Sequence, residues 1–105
     1  MSAIFNARVE HNRLFNGFSM TFDNGVSVSV QFGSFNKCTP ADSNGFSPNA
    51  EVAVFGGAIP NSEWLTKKVW SELFGVELND DVAAFVSPDE VADVIAFAKS
   101  LNLNN

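Results

Sequence analysis

The stretch Phe18–Phe32, F-S-M-T-F-D-N-G-V-S-V-S-V-Q-F, alternates apolar and small polar residues on both sides of Asp23-Asn24-Gly25. That is the pattern of a β-hairpin with one oily face. Its register follows from geometry, because residues paired directly across an antiparallel ladder point to the same face of the sheet. A two-residue Asn24-Gly25 loop would set Phe22 opposite Ser27 and mix oily with polar on each face. A three-residue loop, Asp23-Asn24-Gly25, pairs Phe22 with Val26, Met20 with Val28 and Phe18 with Val30, and leaves Ser19, Thr21, Ser27 and Ser29 on the other face. The spacing therefore predicts a type I turn closed by a G1 bulge, with Gly25 in the left-handed conformation that a Cβ penalises.

The flanking chain supplies the other elements. Ala3 to Val9 alternates, with Phe5, Ala7 and Val9 on one side and Ile4, Asn6 and Arg8 on the other, and reads as a strand; a short amphipathic helix is the rival. Glu10 to Gly17 is a connector ending in Asn16-Gly17 turn chemistry. Glu51 to Phe55 reads as a buried strand ended by Gly56-Gly57, Ile59-Pro60-Asn61 as a turn, and Ser62 to Leu65 as a short returning strand. Thr66 is the expected N-cap of a helix whose apolar positions are Val69, Trp70, Leu73 and Phe74 and whose C-terminal glycine is Gly75. The alternative starts this helix at Ser62.

Ser87-Pro88-Asp89-Glu90 is a capping box with proline at the first helical position, and Val86 and Val91 supply the staple. Val91, Val94, Ile95, Ala98 and Leu101 form the stripe that faces the core, with Phe97 at its edge, and 102–105 is expected to fray.

These elements predict one α+β domain over residues 1–105: an antiparallel sheet of four to five strands with two helices, near 67–74 and 88–101, on its oily face. A chain of 105 residues can bury roughly two-thirds of its unfolded surface without disulfides or metal. The opposite face, with Ser19, Thr21, Ser27, Ser29 and Gln31, is expected to stay wet and is a candidate edge or homodimer surface.

Gly33 to Asn49 is the only long stretch without periodicity, dense in Gly, Pro, Ser and Asn yet carrying Phe35 and Phe46. Loops beyond about 12–15 residues tend to be functional or disordered, which makes this one the first candidate for a binding loop. In the competing reading both rings tuck back into the core.

Composition removes most catalytic designs. With one histidine, one cysteine and no tyrosine, a nucleophile pair would have to be Cys38 with His11, and nothing local lowers the thiol pKa. The single cysteine excludes an internal disulfide and a thiolate cage, and Gly56-Gly57 lacks the remainder of a phosphate cradle. Glu77, Asp80 and Asp81 could meet a hard cation but lack the alternating ligand spacing of a calcium loop, so a solvated loop between the two helices is the expectation. No enzyme, cofactor or metal is expected. The eleven phenylalanines read mostly as packing, and of the two tryptophans Trp70 fits the helix stripe, leaving Trp64 as the exposed candidate.

No apolar run approaches the ~20 residues of a membrane span, and no charged-then-apolar leader follows Met1, so a cytoplasmic protein without membrane association is expected. Formal charge is −6. Residues 1–50 are balanced, with Arg8, Arg13 and Lys37 against Glu10, Asp23 and Asp42. The excess lies beyond residue 50, where Glu51, Glu63, Glu72, Glu77, Asp80, Asp81, Asp89, Glu90 and Asp93 face only Lys67, Lys68 and Lys99. Such a surface repels nucleic acid and attracts basic partners.

The stretches F-N-G-F-S-M-T-F-D-N-G-V-S-V-S-V-Q-F-G, W-L-T-K-K-V-W-S-E-L-F-G and S-P-D-E-V resemble small acidic proteins encoded by tailed bacteriophages and related mobile elements, a group with no assigned activity. The resemblance implies a host-cell setting and a non-enzymatic protein that binds and blocks a host protein, such as a CRISPR or restriction component, through a basic surface on that partner. Phe35, Lys37, Phe46, Trp64, Glu77, Asp80 and Asp81 are the candidate contact residues. Two other readings stand beside it: a small-ligand binder closed by the 33–49 loop, and a self-assembling virion accessory protein.

Overall fold

The computed structural model describes residues 3–8, 16–57 and 63–103. Six strands form one antiparallel sheet, with β1 (Ile4–Arg8), β2 (Gly17–Thr21), β3 (Val26–Gln31), β4 (Ala50–Gly56) and β5 (Glu63–Trp64) side by side in chain order. The sixth strand, β6 (Ala83–Val86), also pairs with β4. Helices α1 (Thr66–Phe74) and α2 (Pro88–Ser100) pack on β3 and β4. The α+β architecture is the expected one, with one more strand than the sequence predicts.

The central hairpin has the predicted register: Phe18 faces Val30, Met20 faces Val28, Ser19 faces Ser29 and Thr21 faces Ser27. Phe22 donates its N–H to the Val26 carbonyl, Gly25 donates back to Phe22, each over 2.9 Å, and Gly25 sits at φ 86°. Asn24 in this loop reaches far along the sequence. Its side-chain Nδ2 donates to the carbonyls of Ala98, Lys99 and Leu101 at 3.0, 3.2 and 2.7 Å, while its Oδ1 accepts from Val26 N–H. The last carbonyls of a helix have no partner within it, and here the hairpin loop supplies one.

The oily face builds the core. Val26, Val28, Val52 and Val54 are fully buried against Val69 and Trp70 of α1 and Val94 and Ala98 of α2. Each such valine contributes on the order of 1.5–3 kcal/mol of transfer free energy. The capping box of α2 is complete, with Glu90 N–H donating to Ser87 Oγ at 3.2 Å and Ser87 N–H donating to Glu90 Oε1 at 3.0 Å. Gly75 ends α1 at φ 67°.

Three expectations need correction. Thr66 is the first helical residue of α1 and not its cap: Leu65 holds that position, with no side-chain bond. The Thr66 hydroxyl instead accepts from Val54 N–H at 2.9 Å and donates to Val54 C=O at 3.2 Å. A buried strand edge competes for a hydroxyl more strongly than a solvated helix end does, because its polar groups have no water to fall back on. The segment between the helices is not wholly a solvated loop, since 83–86 forms β6. Its alternation is hidden because Ala83 and Val86, both buried, are three residues apart while their partners Val52 and Ala50 are two apart. One extra residue is a β-bulge. The face opposite the helices is also less wet than predicted: Ser27 and Ala53 are buried, and Ser27 shares a 2.7 Å hydrogen bond with Thr21.

The strand expected over Ala3–Val9 is present as β1 over Ile4–Arg8, with Phe5 opposite Met20 and Ala7 opposite Phe18, and Val9 lies outside the described residues. The connector through residue 15, the Ile59-Pro60-Asn61 turn, Ser62 and the last two residues lie outside the described residues.

Candidate functional site

The 33–49 loop is closed by hydrogen bonds between its own residues and to β4. In its first arm Asn36 donates from its backbone to the Gly33 carbonyl and accepts Gly33 N–H at its side chain. Asn36 Nδ2 and Lys37 N–H then donate to the two carboxylate oxygens of Glu51, at 3.1 and 3.0 Å. Glu51 projects from β4 on the face away from the helices, since its neighbour Val52 points into the core. The first arm therefore lies on that outer face. Glu51, counted in the sequence as part of the acidic surface, is occupied in holding the loop.

In the second arm Thr39 N–H donates to Asn49 Oδ1 at 2.6 Å, Asn49 Nδ2 donates to Thr39 Oγ1, and Ser47 Oγ donates to Thr39 C=O. Asp42 Oδ1 accepts from the backbones of Asn44 and Phe46. Ser47 and Asn49 line an apolar recess of about 250 Å³ on the helix side, with Phe18, Val30, Val86 and Pro88. The loop thus wraps one end of the sheet from face to face.

Both rings of the loop point outward: Phe35 is 68% exposed and Phe46 74% exposed. The reading in which they tuck into the core is ruled out. Cys38 is the residue that turns in, buried with Sγ 3.7 Å from the Gly33 carbonyl. Burial raises its pKa above the ordinary thiol value, with the Glu51 carboxylate adding to the effect. It is therefore a neutral thiol at neutral pH, the wrong state for a nucleophile. His11, its only conceivable partner, lies outside the described residues.

Lys37 joins the loop to the acidic segment that follows α1. Its ammonium pairs with Asp80 at 2.5 Å, and both side chains are half exposed. The Lys37 hydrogen bond holds Asp80 below the usual carboxylate range, aided by Asp81 N–H donating to Asp80 Oδ1 at 2.7 Å. Reciprocally, Asp80 raises Lys37. Asp81 and Glu77 are exposed beside this pair in the chain. Among the described residues no group of three His, Cys, Asp or Glu side chains is placed to hold a metal ion.

One residue of this surface has no signal in the sequence. Phe85 sits in the β6 bulge at φ 54°, in left-handed backbone, and is 61% exposed. Its N–H donates to the Lys37 carbonyl at 2.9 Å, which fixes β6 to the loop arm that carries Phe35. A non-glycine residue in that conformation costs roughly 1–2 kcal/mol. The A-A-F-V run of β6 contains no turn residue to reveal it.

The predicted contact residues therefore divide. Lys37, Asp80 and Asp81 come together with Phe85 at the first arm of the loop, in which Phe35 stands two residues before Lys37. Trp64 is 58% exposed, as expected, but it pairs with Phe55 at the other end of β4, the rings edge to face with centroids 5.9 Å apart. Phe46 caps the second arm. No helix among the described residues is long and apolar enough to cross a membrane. Comparison with protein-family models, curated proteins and solved structures finds no match to this chain.

Proposed function

We propose that this chain is a non-enzymatic, phage-type accessory protein that binds and inhibits a host protein, with CRISPR or restriction components as the leading class of target. The contact surface is the first arm of the 33–49 loop with the Asp80 segment: Phe35 and Phe85 as apolar anchors, Asp81 and Glu77 as the approach to a basic partner.

The observation that carries the reading is Phe85. A solvent-exposed aromatic ring held at φ 54° lowers stability and buries little area in return, and strain of this kind tends to persist where a surface is used. Exposed rings beside exposed carboxylates match the anatomy of an anchor with an electrostatic rim. The apolar recess on the helix side, at about 250 Å³, falls below the ~300–1,000 Å³ range of ligand pockets, which favours the surface over a small-ligand site.

The test is a pull-down from lysate of the natural host at low and moderate salt. It compares the wild type with Phe35→Ser/Phe85→Ser and with Asp80→Lys/Asp81→Lys. A specific protein retained by the wild type, weakened by salt and lost by both variants is the expected result. Retention of the same protein by both variants, or of none by the folded wild type, ends the proposal.

A further inference from the structure

The sheet has a second unused resource, its first strand. The outer edge of β1 pairs with no strand among the described residues. Native edges are normally protected by lysine, proline, a bulge or a cover. The segment Ile4–Arg8, I-F-N-A-R, has neither lysine nor proline, its one charged residue is Arg8 at the last position, and its pairing with β2 runs through all five positions without a shift. Ile4 is 59% exposed and Phe5 74% exposed, although Phe5 and Ala7 lie on the helix side of the sheet, where they face Met20 and Phe18. The ring of Phe5 meets Phe18 edge to face at 6.5 Å. The oily face thus continues beyond the helices, which pack on β3 and β4.

We propose that the occupant of this edge is a second copy of the chain, joined β1 to β1 in antiparallel fashion about a two-fold axis through Asn6. Two features of the molecule select this occupant. The first is self-complementarity. A two-fold at Asn6 sets Asn6 opposite Asn6 and Phe5 opposite Ala7, so faces agree, apolar residues meet on the helix side, and the two Phe5–Phe18 strips merge into one. The second is charge. The acidic excess lies wholly beyond residue 50, whereas β1 and its neighbour β2 carry no carboxylate. Two copies approaching through their second halves repel; approaching through β1, they meet near neutrality.

Because the shared edge is only five residues long, the interface belongs at the small end of specific interfaces, below about 1,200 Å². A dimer that dissociates on dilution is the consequence. It is independent of the surface around Phe85, on the far side of the sheet path, and neither proposal depends on the other.

Sedimentation of the full chain across the micromolar range tests it. The expected mass rises from 11.3 kDa towards twice that value with concentration. Phe5→Lys/Ala7→Lys, at two exposed positions, should weaken the dimer at least tenfold while the monomer keeps the wild-type circular dichroism spectrum. Asn6→Cys in a Cys38→Ser background should cross-link to itself when oxidised with diamide, since residues on the two-fold come within disulfide reach. A wild type that stays monomeric at the highest concentration overturns the proposal. So does a dimer that survives the lysine pair, or one whose Asn6→Cys variant fails to cross-link, because either places the second copy elsewhere. A strand from an unrelated protein on the same edge would appear as a wild-type monomer and is counted with the first of these.

Discussion

The two long edges of the sheet are treated in opposite ways. On the β4 side two pieces of chain close the edge: β6 covers Ala50 and Val52, while the continuous segment 63–66 covers the rest, with Leu65 and Thr66 taking both polar groups of Val54 and β5 covering Phe55 and Gly56. On the β1 side a single five-residue strand ends the sheet, with exposed apolar residues on both of its faces. A buried backbone group without a partner costs far more than a solvated one. The central strand under both helices therefore has to be sealed, while the strand beyond the helix layer can stay open, so an open edge is tolerable only where water or a partner can reach it.

The largest expected effect breaks the attachment of the open side. A Cβ at Gly17 would stand 2.1 Å from the Val30 carbonyl oxygen, an overlap with backbone that no rotamer relieves. Gly17→Ala should destabilise by about 3 kcal/mol or more, read as a fall in the urea midpoint. Next comes the seal itself. Thr66→Val keeps the shape but strands Val54 N–H in the core, and should cost about 2 kcal/mol. If chemical denaturation shows a loss under about 0.5 kcal/mol, the β4 edge is not as dry as described.

Phe85→Gly is expected to act in the opposite direction. Relief of the left-handed strain, less the added freedom of glycine in the unfolded chain, should stabilise by about 0.5–1 kcal/mol while weakening any partner held by the ring. A destabilised variant would mean that the ring is packing and not display.

The smallest effect concerns the Lys37–Asp80 link. Asp80, lowered when folded, contributes stability above the ordinary value of 3.8 and loses it as pH falls through the lowered one. Lys37, raised when folded, contributes below 10.5 and loses its share as pH climbs through the raised value. The link is thus constant across the neutral range. Amide shifts of Lys37 and Asp81 should stay flat there and move together below 3.8 and again above 10.5; a change near neutrality would assign the link to another group.

Local chemistry was readable in the sequence wherever the cause and the consequence are neighbours. The hairpin register follows from period-two alternation around Gly25, and the start of α2 from four adjacent residues, Ser87 to Glu90. Residues whose partners are remote could not be read. Thr66 carries every mark of a helix cap until a strand edge twelve residues earlier in the chain claims its hydroxyl. Glu51 looks like surface charge until the loop folds onto it. β6 was missed because a bulge spoils the alternation that reveals a strand, and the same bulge makes Phe85 part of the candidate site. Trp64 is legible as a surface residue by elimination, since one tryptophan fits the helix stripe and the other does not.

Asn24 ties the hairpin loop to the last turn of α2 across more than seventy residues of sequence. During synthesis the hairpin leaves the ribosome long before that helix does, so its loop must wait for a helix end that has yet to be made. Closing the contact requires the last turn of α2 to be in place, so one amide side chain makes the hairpin loop depend on a helix end. Removing that amide, as in Asn24→Ala, is therefore expected to free the final turn of α2, read as faster hydrogen exchange there than in the first turn.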